Sequence, residues 1–293
     1  MRWDGKKVLS YKTQDNVKSN DIVLWENYTE ACYRNITVKS PNGRTVYFSG
    51  MPDDVKTPAV APQWTSFGAG DFSLVKDDAA NMNYSQKITS SADFSGVYQG
   101  PQAVRSGDMF EGYIYAKGDG VLQVGLMHDG KWIASSELGR QGRDWAKHEF
   151  SFGAGSYQGD ADFVIAVRGG SVQVDEVSLT TQKGKELGGF RPDIFNAVKD
   201  LHPTCLRWPG GGYVAQDDWK WGIGPQEKRQ RWDHWMWMDY DQNAFGTDEF
   251  IRFCREINTE PVIVVSVGFE RPASEYESLI QNACDLFSRD KVH

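Results

Sequence analysis

The stretch Leu206-Arg-Trp-Pro-Gly-Gly-Gly-Tyr213, followed by Trp219-Lys-Trp-Gly-Ile-Gly-Pro225, decides the fold of the C-terminal part of the chain. An amphipathic segment (Pro192 to Leu201) and a short apolar run precede it, an order that indicates helix, strand and glycine-rich loop. In βα-barrels such loops, at the carboxyl ends of strands, build the active site. Three glycines let the backbone turn sharply and approach a ligand closely. The alternative is a plain helix–strand connection with a structural Gly-Gly turn.

These motifs, together with Lys228-Arg229 and the block from Asn243 to Phe250, resemble the start of the catalytic barrel of glycoside hydrolase family 51. The best-known members of that family are α-L-arabinofuranosidases. The resemblance continues from Phe253 to Arg255 and from Glu260 to Val265, and it covers residues 185–285. It implies a retaining glycosidase that removes terminal arabinofuranose from arabinoxylan or arabinan, although the family also contains enzymes that act on other glycans.

The resemblance implies that the catalytic pair lies outside this chain. Retaining glycosidases use two carboxylates about 5–5.5 Å apart, one as acid/base and one as nucleophile. In the family these are glutamates that follow the fourth and seventh barrel strands, so both are expected beyond residue 293. We therefore predict that residues 185–293 are the N-terminal part of a (β/α)8 barrel, truncated and inactive by itself. Phe287 to His293 departs from the pattern, as a truncated or frameshifted gene would give.

Four residues near the glycine-rich loop are predicted to face the substrate. The arginine that matches Arg207 in the family lies beside the nucleophile, where a cation lowers the carboxyl pKa and keeps the nucleophile charged. The alternative is that Arg207 only ties the loop to a neighbouring strand. Gly212 stands where relatives often carry an Asn or Cys that faces the sugar. Tyr213 and Trp219 are predicted wall residues, for which packing is the alternative.

Three carboxylates inside the chain are further candidates for the pocket. Asp217 and Asp218 follow the glycine-rich loop, and Glu270 follows the second predicted strand of this region. Adjacent aspartates more often mark a solvated turn, and Glu270 more often starts a helix or forms a loop salt bridge. None occupies a position where the family keeps its catalytic pair.

The rest of the C-terminal region is predicted to alternate helices and strands. The helices are expected at 190–201, at 247–257 with Thr247 as N-cap, and at 274–287. The strands are expected at 204–208 and 261–267, both buried. That amounts to about two βα units, whereas a complete barrel needs eight.

Residues 64–181 show strand alternation with turns between the strands, which indicates a β-sandwich or jelly roll. Its last strands resemble those of CenC-type carbohydrate-binding modules. If this module binds sugar, exposed flat rings should carry the binding. Tyr98, Trp132 and Trp145 are the candidates, with Trp145 the one most expected to be core. The alternative is a module that only packs on the barrel.

The N-terminal part is predicted as two short segments. Residues 1–50 read as strands at 7–11, 21–25, 31–39 and 45–48, with a hairpin turn at Asn42-Gly43. They resemble the closing strands of a concanavalin-like β-sandwich. Residues 51–63, with three prolines, are predicted to be a linker. The fold class is therefore mixed and multidomain: a β-sandwich or jelly roll followed by a partial (β/α)8 barrel.

Composition argues against several classes of partner. The net charge of −8 argues against nucleic acid, and the lack of an 18-residue apolar run argues against a membrane span. The four cysteines (Cys32, Cys205, Cys254 and Cys284) are widely separated, so free buried thiols are expected. Neither they nor the five histidines show metal-ligand spacing, and we expect no metal and no cofactor.

Two expectations concern the biological setting. The partner is expected to be an arabinose-containing plant cell-wall polysaccharide, and the parent protein is expected to be secreted or periplasmic. No signal peptide opens the chain, since Met1 is followed by Arg2-Trp-Asp-Gly5. The competing interpretations are a non-catalytic carbohydrate-binding protein that acts through its β module, and a degenerate product without activity.

Overall fold

The computed structural model describes residues 2–3, 6–7, 36–39, 45–49, 59–215, 217–234, 239–266 and 273–289. The chain separates into two compact units, residues 1–55 and 56–293. In the first unit the described residues form strands β1 (Arg2–Trp3), β2 (Lys6–Lys7), β3 (Ile36–Lys39) and β4 (Thr45–Ser49). Strands β3 and β4 pair antiparallel, as the predicted hairpin requires, and the predicted turn at Asn42-Gly43 lies outside the described residues. The predicted strand at 21–25 lies outside the described residues.

The second unit begins with a sandwich of two five-stranded antiparallel sheets, which confirms the predicted β-sandwich. The first sheet has the order β11-β10-β13-β8-β5 and the second the order β12-β9-β14-β7-β6. The strands are β5 (Thr65–Phe67), β6 (Asp71–Lys76), β7 (Tyr84–Ser90), β8 (Ser95–Val104), β9 (Met109–Gly118), β10 (Val121–His128), β11 (Lys131–Arg140), β12 (Ala146–Gly153), β13 (Gly159–Arg168) and β14 (Gly170–Thr181).

The sandwich forms because alternate residues of these strands are apolar. Leu122, Val124 and Leu126 of β10 are fully buried between the sheets, as the period-2 pattern predicts. Phe150 and Phe163 stack inside the core at 6.2 Å between ring centroids. Burial of such side chains is the main force that holds the two sheets together.

The C-terminal part of the second unit alternates helices and short strands. It contains α1 (Gln182–Glu186), α2 (Pro192–Asp200), β15 (Cys205–Trp208), β16 (Trp232–His234), β17 (Asp239–Asp241), α3 (Thr247–Glu256), β18 (Glu260–Ile263) and α4 (Tyr276–Arg289). Strands β15 and β18 pair in parallel, with Cys205 opposite Glu260 and Trp208 opposite Ile263. Within the described ranges this is the one parallel pair, so the (β/α)8 barrel stays a prediction.

Two local predictions in this region were wrong. Thr247 does not cap α3, because it is the first helical residue and Gly246 takes the N-cap position. The Glu249 carboxylate accepts the Gly246 N–H at 2.8 Å and so satisfies one free donor at the helix start. Cys205 and Cys284 are exposed rather than buried, whereas Cys254 is buried as predicted. Among the described residues β15 pairs with β18 alone, and Cys205 is left exposed.

No helix in the described part of the chain is both long and apolar enough to cross a membrane.

Candidate functional site

The glycine-rich loop leaves β15 at Trp208 and closes into a 3-10 turn over residues 211–215. Gly211 has φ +61°, a left-handed conformation that favours glycine. The Trp208 ring packs against Phe245 and Phe250 at 5.9 and 5.7 Å between centroids. These contacts fix the carboxyl end of β15 against the start of α3, so the loop begins from a rigid point.

An open pocket of about 540 Å³ lies beside this loop. One side is formed by the loop and the other by the segment that leads into α3. Its lining residues are Trp208, Pro209, Gly210, Tyr213, Asp241, Gln242, Ala244 and Phe245. The pocket is thus aromatic on its flanks and carries a carboxylate, the combination that suits a ligand with flat apolar faces and many hydroxyls.

Tyr213 and Asp241 form the polar part of this pocket. The Tyr213 hydroxyl donates a hydrogen bond to Asp241 Oδ2 at 2.8 Å, and Asp241 Oδ1 accepts the Asn243 N–H at 2.7 Å. Burial, and then the Asp217 and Asp241 carboxylates, raise the pKa of Tyr213. Tyr213 therefore acts as a neutral donor that fixes the Asp241 carboxylate. The sequence motifs predicted Tyr213 as a wall residue but gave no indication of Asp241.

The other predicted substrate-facing residues take different positions. Arg207 is exposed and its guanidinium lies on Gly210, where a Cβ would come within 2.7 Å of Nη2. Within the described ranges Arg207 has no salt-bridge partner. Gly212 is exposed in the 3-10 turn. Trp219 lies away from the open pocket, because its Nε1 donates to the Asn282 carbonyl of α4 at 3.1 Å. These roles stay predictions.

A buried arginine holds the pocket wall formed by residues 241–246. Arg229 is 5% exposed and makes a bidentate ion pair with Glu249 at 2.8 and 3.0 Å. Its guanidinium also donates to the Gly224 and Asn243 carbonyls. Asn243 has φ +52° and donates its side-chain amide to the Gln230 carbonyl at 2.6 Å. The wall is therefore fixed from behind by charge-assisted hydrogen bonds.

The candidate carboxylates Asp217 and Asp218 line a separate small pocket, with residues 264–266, which follow β18, and with α4. Asp218 accepts the Lys220 N–H at 3.1 Å, which is a turn role. Burial, with smaller contributions from Asp218 and Asp241, raises the pKa of Asp217 to about 7. Asp217 is thus a carboxyl group that holds its proton up to near-neutral pH. Glu270, the third candidate, lies outside the described residues.

This raised pKa makes a prediction for stability. A carboxyl with a higher pKa in the folded state stabilises that state below its unfolded value, 3.8, and loses the contribution as pH rises to about 7. Replacing Asp217 by Asn should therefore reduce the fall in melting temperature between pH 5 and pH 8, by on the order of 5 °C. Thermal unfolding of both proteins at the two pH values measures this. Equal falls in the melting temperatures of the wild-type and variant proteins would show that Asp217 is ionised in the folded protein at pH 5.

The three candidate rings of the β module do not lie together. Tyr98 on β8 and Trp132 on β11 belong to the first sheet, whereas Trp145 precedes β12 of the second sheet. Trp145 donates its Nε1 to Asp78 at 3.2 Å, and Lys117 Nζ lies 5.1 Å from its ring centroid. The expectation that Trp145 is core was wrong, since it is not part of the buried core between the sheets.

Among the described residues, no three His, Cys, Asp or Glu side chains are arranged to hold a metal ion.

Comparison with known proteins gives a match over the region that contains this site. Residues 197–288 match the sequence profile of the alpha-L-arabinofuranosidase 1 domain. A probable alpha-L-arabinofuranosidase C of Aspergillus niger is 40% identical over 80 residues, which are 27% of this chain and 16% of that protein. The intracellular exo-alpha-L-arabinofuranosidase of Bacteroides ovatus is 42% identical over 81 residues, with the same shares covered.

The solved structures include a similar relative. The alpha-L-arabinofuranosidase from Thermotoga maritima, solved as an arabinose complex, is 46% identical over 27% of this chain and 17% of its own, with a TM-score of 0.27. The chain thus spans about a sixth of the length of the curated relatives it matches. The resemblance to the α-L-arabinofuranosidases is therefore confirmed for residues 197–288, the segment that contains the glycine-rich loop and the open pocket.

Proposed function

We propose that the C-terminal segment is part of the catalytic domain of a retaining glycosidase that removes terminal α-L-arabinofuranose from arabinoxylan or arabinan. The single observation that carries the proposal is the coincidence of the family match with the open pocket at the carboxyl end of β15. The carboxyl ends of parallel strands are where βα-barrels place their substrate. In this proposal Tyr213 and Asp241 bind sugar hydroxyls, and Arg207 pairs with the nucleophilic carboxylate.

Arg207 supports this reading through its position. A guanidinium that is exposed, unpaired among the described residues and spread over Gly210 is free to take a carboxylate partner. In the family the partner is the nucleophilic glutamate, which follows a later strand of the barrel. The guanidinium would keep that carboxyl ionised, because an adjacent cation lowers a carboxyl pKa.

The 293 residues by themselves should show no arabinofuranosidase activity. Both glutamates are expected on later barrel strands, and the described residues contain one parallel strand pair. A chromogenic α-L-arabinofuranoside incubated with the purified chain measures this. Turnover above the buffer blank that survives replacement of Asp217 and Glu270 would show that the catalytic pair lies elsewhere in this chain.

The experiment that tests the proposed activity places the matching segment in the complete domain of a relative. In a chimera, the matching 81-residue segment of this chain replaces its counterpart in the Bacteroides ovatus enzyme. The chimera should hydrolyse the same arabinofuranoside. A folded chimera without turnover would contradict the proposal.

A second function, binding of the same polysaccharide by the β module, is favoured by two pairs of rings on or next to the first sheet. Phe67 lies 6.4 Å from Tyr98, and Phe94 lies 6.4 Å from Trp132, between ring centroids. All four rings are part-exposed and none belongs to the core between the sheets. On the same sheet the Gln123 amide of β10 donates to the Ser135 hydroxyl of β11 at 2.8 Å. Flat rings beside hydrogen-bonding groups suit the stacking of sugar rings.

Replacing Trp132 by Ala should weaken binding to arabinoxylan by roughly tenfold, since an aromatic anchor commonly contributes most of the binding energy of its site. Affinity electrophoresis in arabinoxylan measures this as loss of retardation. The matched control is Trp145→Phe, which alters a ring of the second sheet and should leave the retardation unchanged. Equal retardation of the wild-type chain and the Trp132 variant would remove this ring from the site, and no retardation of wild type would favour a module that only packs.

A further inference from the structure

The second sheet and the loop between β6 and β7 contact residues 224–231 at three points. Lys147 of β12 pairs with Glu227 at 2.7 Å, and its Nζ also lies 4.1 Å from the Tyr113 ring centroid. Glu176 of β14 pairs with Arg231, and the Asn81 side chain donates to the Arg229 carbonyl at 3.1 Å. The sandwich therefore contacts the loop through its backbone and through two charged side chains.

Two of these contact residues, Glu176 and Asn81, are themselves fixed by local structure. Strand β14 contains a bulge between Asp175 and Ser178, where one extra residue faces β9. Glu176 lies in this bulge with φ +45°, which turns its carboxylate toward Arg231. The Asp175 carboxylate accepts the backbone N–H groups of Ala80 and Asn81 at 3.0 and 2.9 Å. A bulge that re-aims a side chain and a carboxylate that orders a loop are built features, and bulges commonly occur next to functional sites.

The loop of residues 224–231 is in turn hydrogen-bonded to the pocket wall of residues 241–246. Arg229 donates to the Asn243 carbonyl at 2.8 Å, and Asn243 donates back to the Gln230 carbonyl. Gln226 donates to the Ala244 carbonyl at 2.7 Å. Asn243 then donates its backbone N–H to Asp241, whose other oxygen meets Tyr213 in the pocket. An unbroken series of hydrogen bonds joins the sandwich to the pocket wall.

We propose that the β-sandwich is a positioning element for the open pocket, acting through Asn81, Glu176 and Lys147 on loop 224–231. The module thereby fixes the Asp241 carboxylate without contacting the ligand of the open pocket. This role adds to glycan binding, because the rings proposed to bind glycan belong to the other sheet. The positioning role rests on the proposed function only for the identity of the pocket's ligand. The hydrogen bonds between the sandwich, the loop and the pocket wall do not depend on the reaction.

Hydrogen–deuterium exchange of the full 293-residue chain tests the link. Replacing Asn81 and Glu176 together by Ala should raise amide exchange in residues 241–246 roughly tenfold, because the loop that carries Arg229 loses two of its three contacts with the sandwich. The sandwich core strand β10 should keep its protection. The single Asn81→Ala variant should show a smaller rise at the same residues, and it carries the test if the double variant does not fold.

A rescue pair and a control separate positioning from general stability. Arg231→Ala should raise exchange of the wall, whereas Arg231→Lys, which keeps the cation opposite Glu176, should restore most of the protection. Arg168→Ala breaks an ion pair with Glu137 on the first sheet and should leave the wall unchanged. Unchanged exchange at 241–246 in the double variant, or an equal rise across the whole unit, would overturn the proposal. Because no substrate is used, either result is independent of the outcome with the arabinofuranoside.

Discussion

Replacing Arg229 by Met should lower the free energy of unfolding by about 3–5 kcal/mol, because removal of one partner leaves a buried charge uncompensated. Arg229 is 5% exposed, and Glu249, its bidentate partner, is largely buried as well. The Gly224 and Asn243 carbonyls would also lose their donor. Urea unfolding of the 293-residue chain measures the loss.

The matched control is Arg168→Met, which breaks the exposed ion pair with Glu137. Exposed pairs contribute about 0–1 kcal/mol, so this variant should unfold close to wild type. Similar losses in the two variants would show that Arg229 is not desolvated in the folded protein and does not hold the pocket wall from behind.

In the chimera with the Bacteroides ovatus enzyme, Arg207→Ala should reduce turnover by roughly 10²–10³-fold with little change in melting temperature. The reason is electrostatic, since a preorganised guanidinium beside the nucleophile stabilises its charged form. Loss of the cation raises the nucleophile pKa, so the acidic limb of the pH–rate profile should move to higher pH. Steady-state kinetics across pH measures both effects.

Arg207→Lys should restore only part of the turnover, because an ammonium lacks the planar fork of a guanidinium. The competing view is that Arg207 only supports the loop through its contact with Gly210. That view predicts a lowered melting temperature with turnover nearly intact, and such a result would assign Arg207 a structural role.

Much of the fold could be predicted because it depends on the local spacing of apolar residues along the chain. Alternation in β10 and β13 follows from the two faces of a strand, and the structure places Leu122, Val124 and Ile165 in the core accordingly. Helices α2 and α3 begin and end within two residues of their predicted ends. The wrong cap at Thr247 shows the limit, because Gly246 and Thr247 are both acceptable caps and the tertiary setting selects the former.

The polar network of the site could not be predicted, because it joins residues far apart in the chain. Asn81 and Arg229 are 148 positions apart, and Glu176 and Arg231 are 55 apart. Asp241 carries no local signal that distinguishes it from a surface aspartate. The wrong expectation for Cys205 has the same origin, since an apolar strand predicts burial only if neighbouring strands cover it.

Whether the open pocket is an arabinofuranose site is decided by kcat/KM of the chimera on a chromogenic α-L-arabinofuranoside, with a β-D-xylopyranoside as the comparison substrate. We expect turnover with preference for the arabinofuranoside, because Tyr213, Asp241 and Arg207 would take part in the same pocket as in the relatives. The chimera should lose that turnover when Arg207 is replaced by Ala. The opposite result is a chimera that unfolds cooperatively but hydrolyses neither substrate, or that prefers the xylopyranoside. Either outcome would show that the pocket is not an arabinofuranose site.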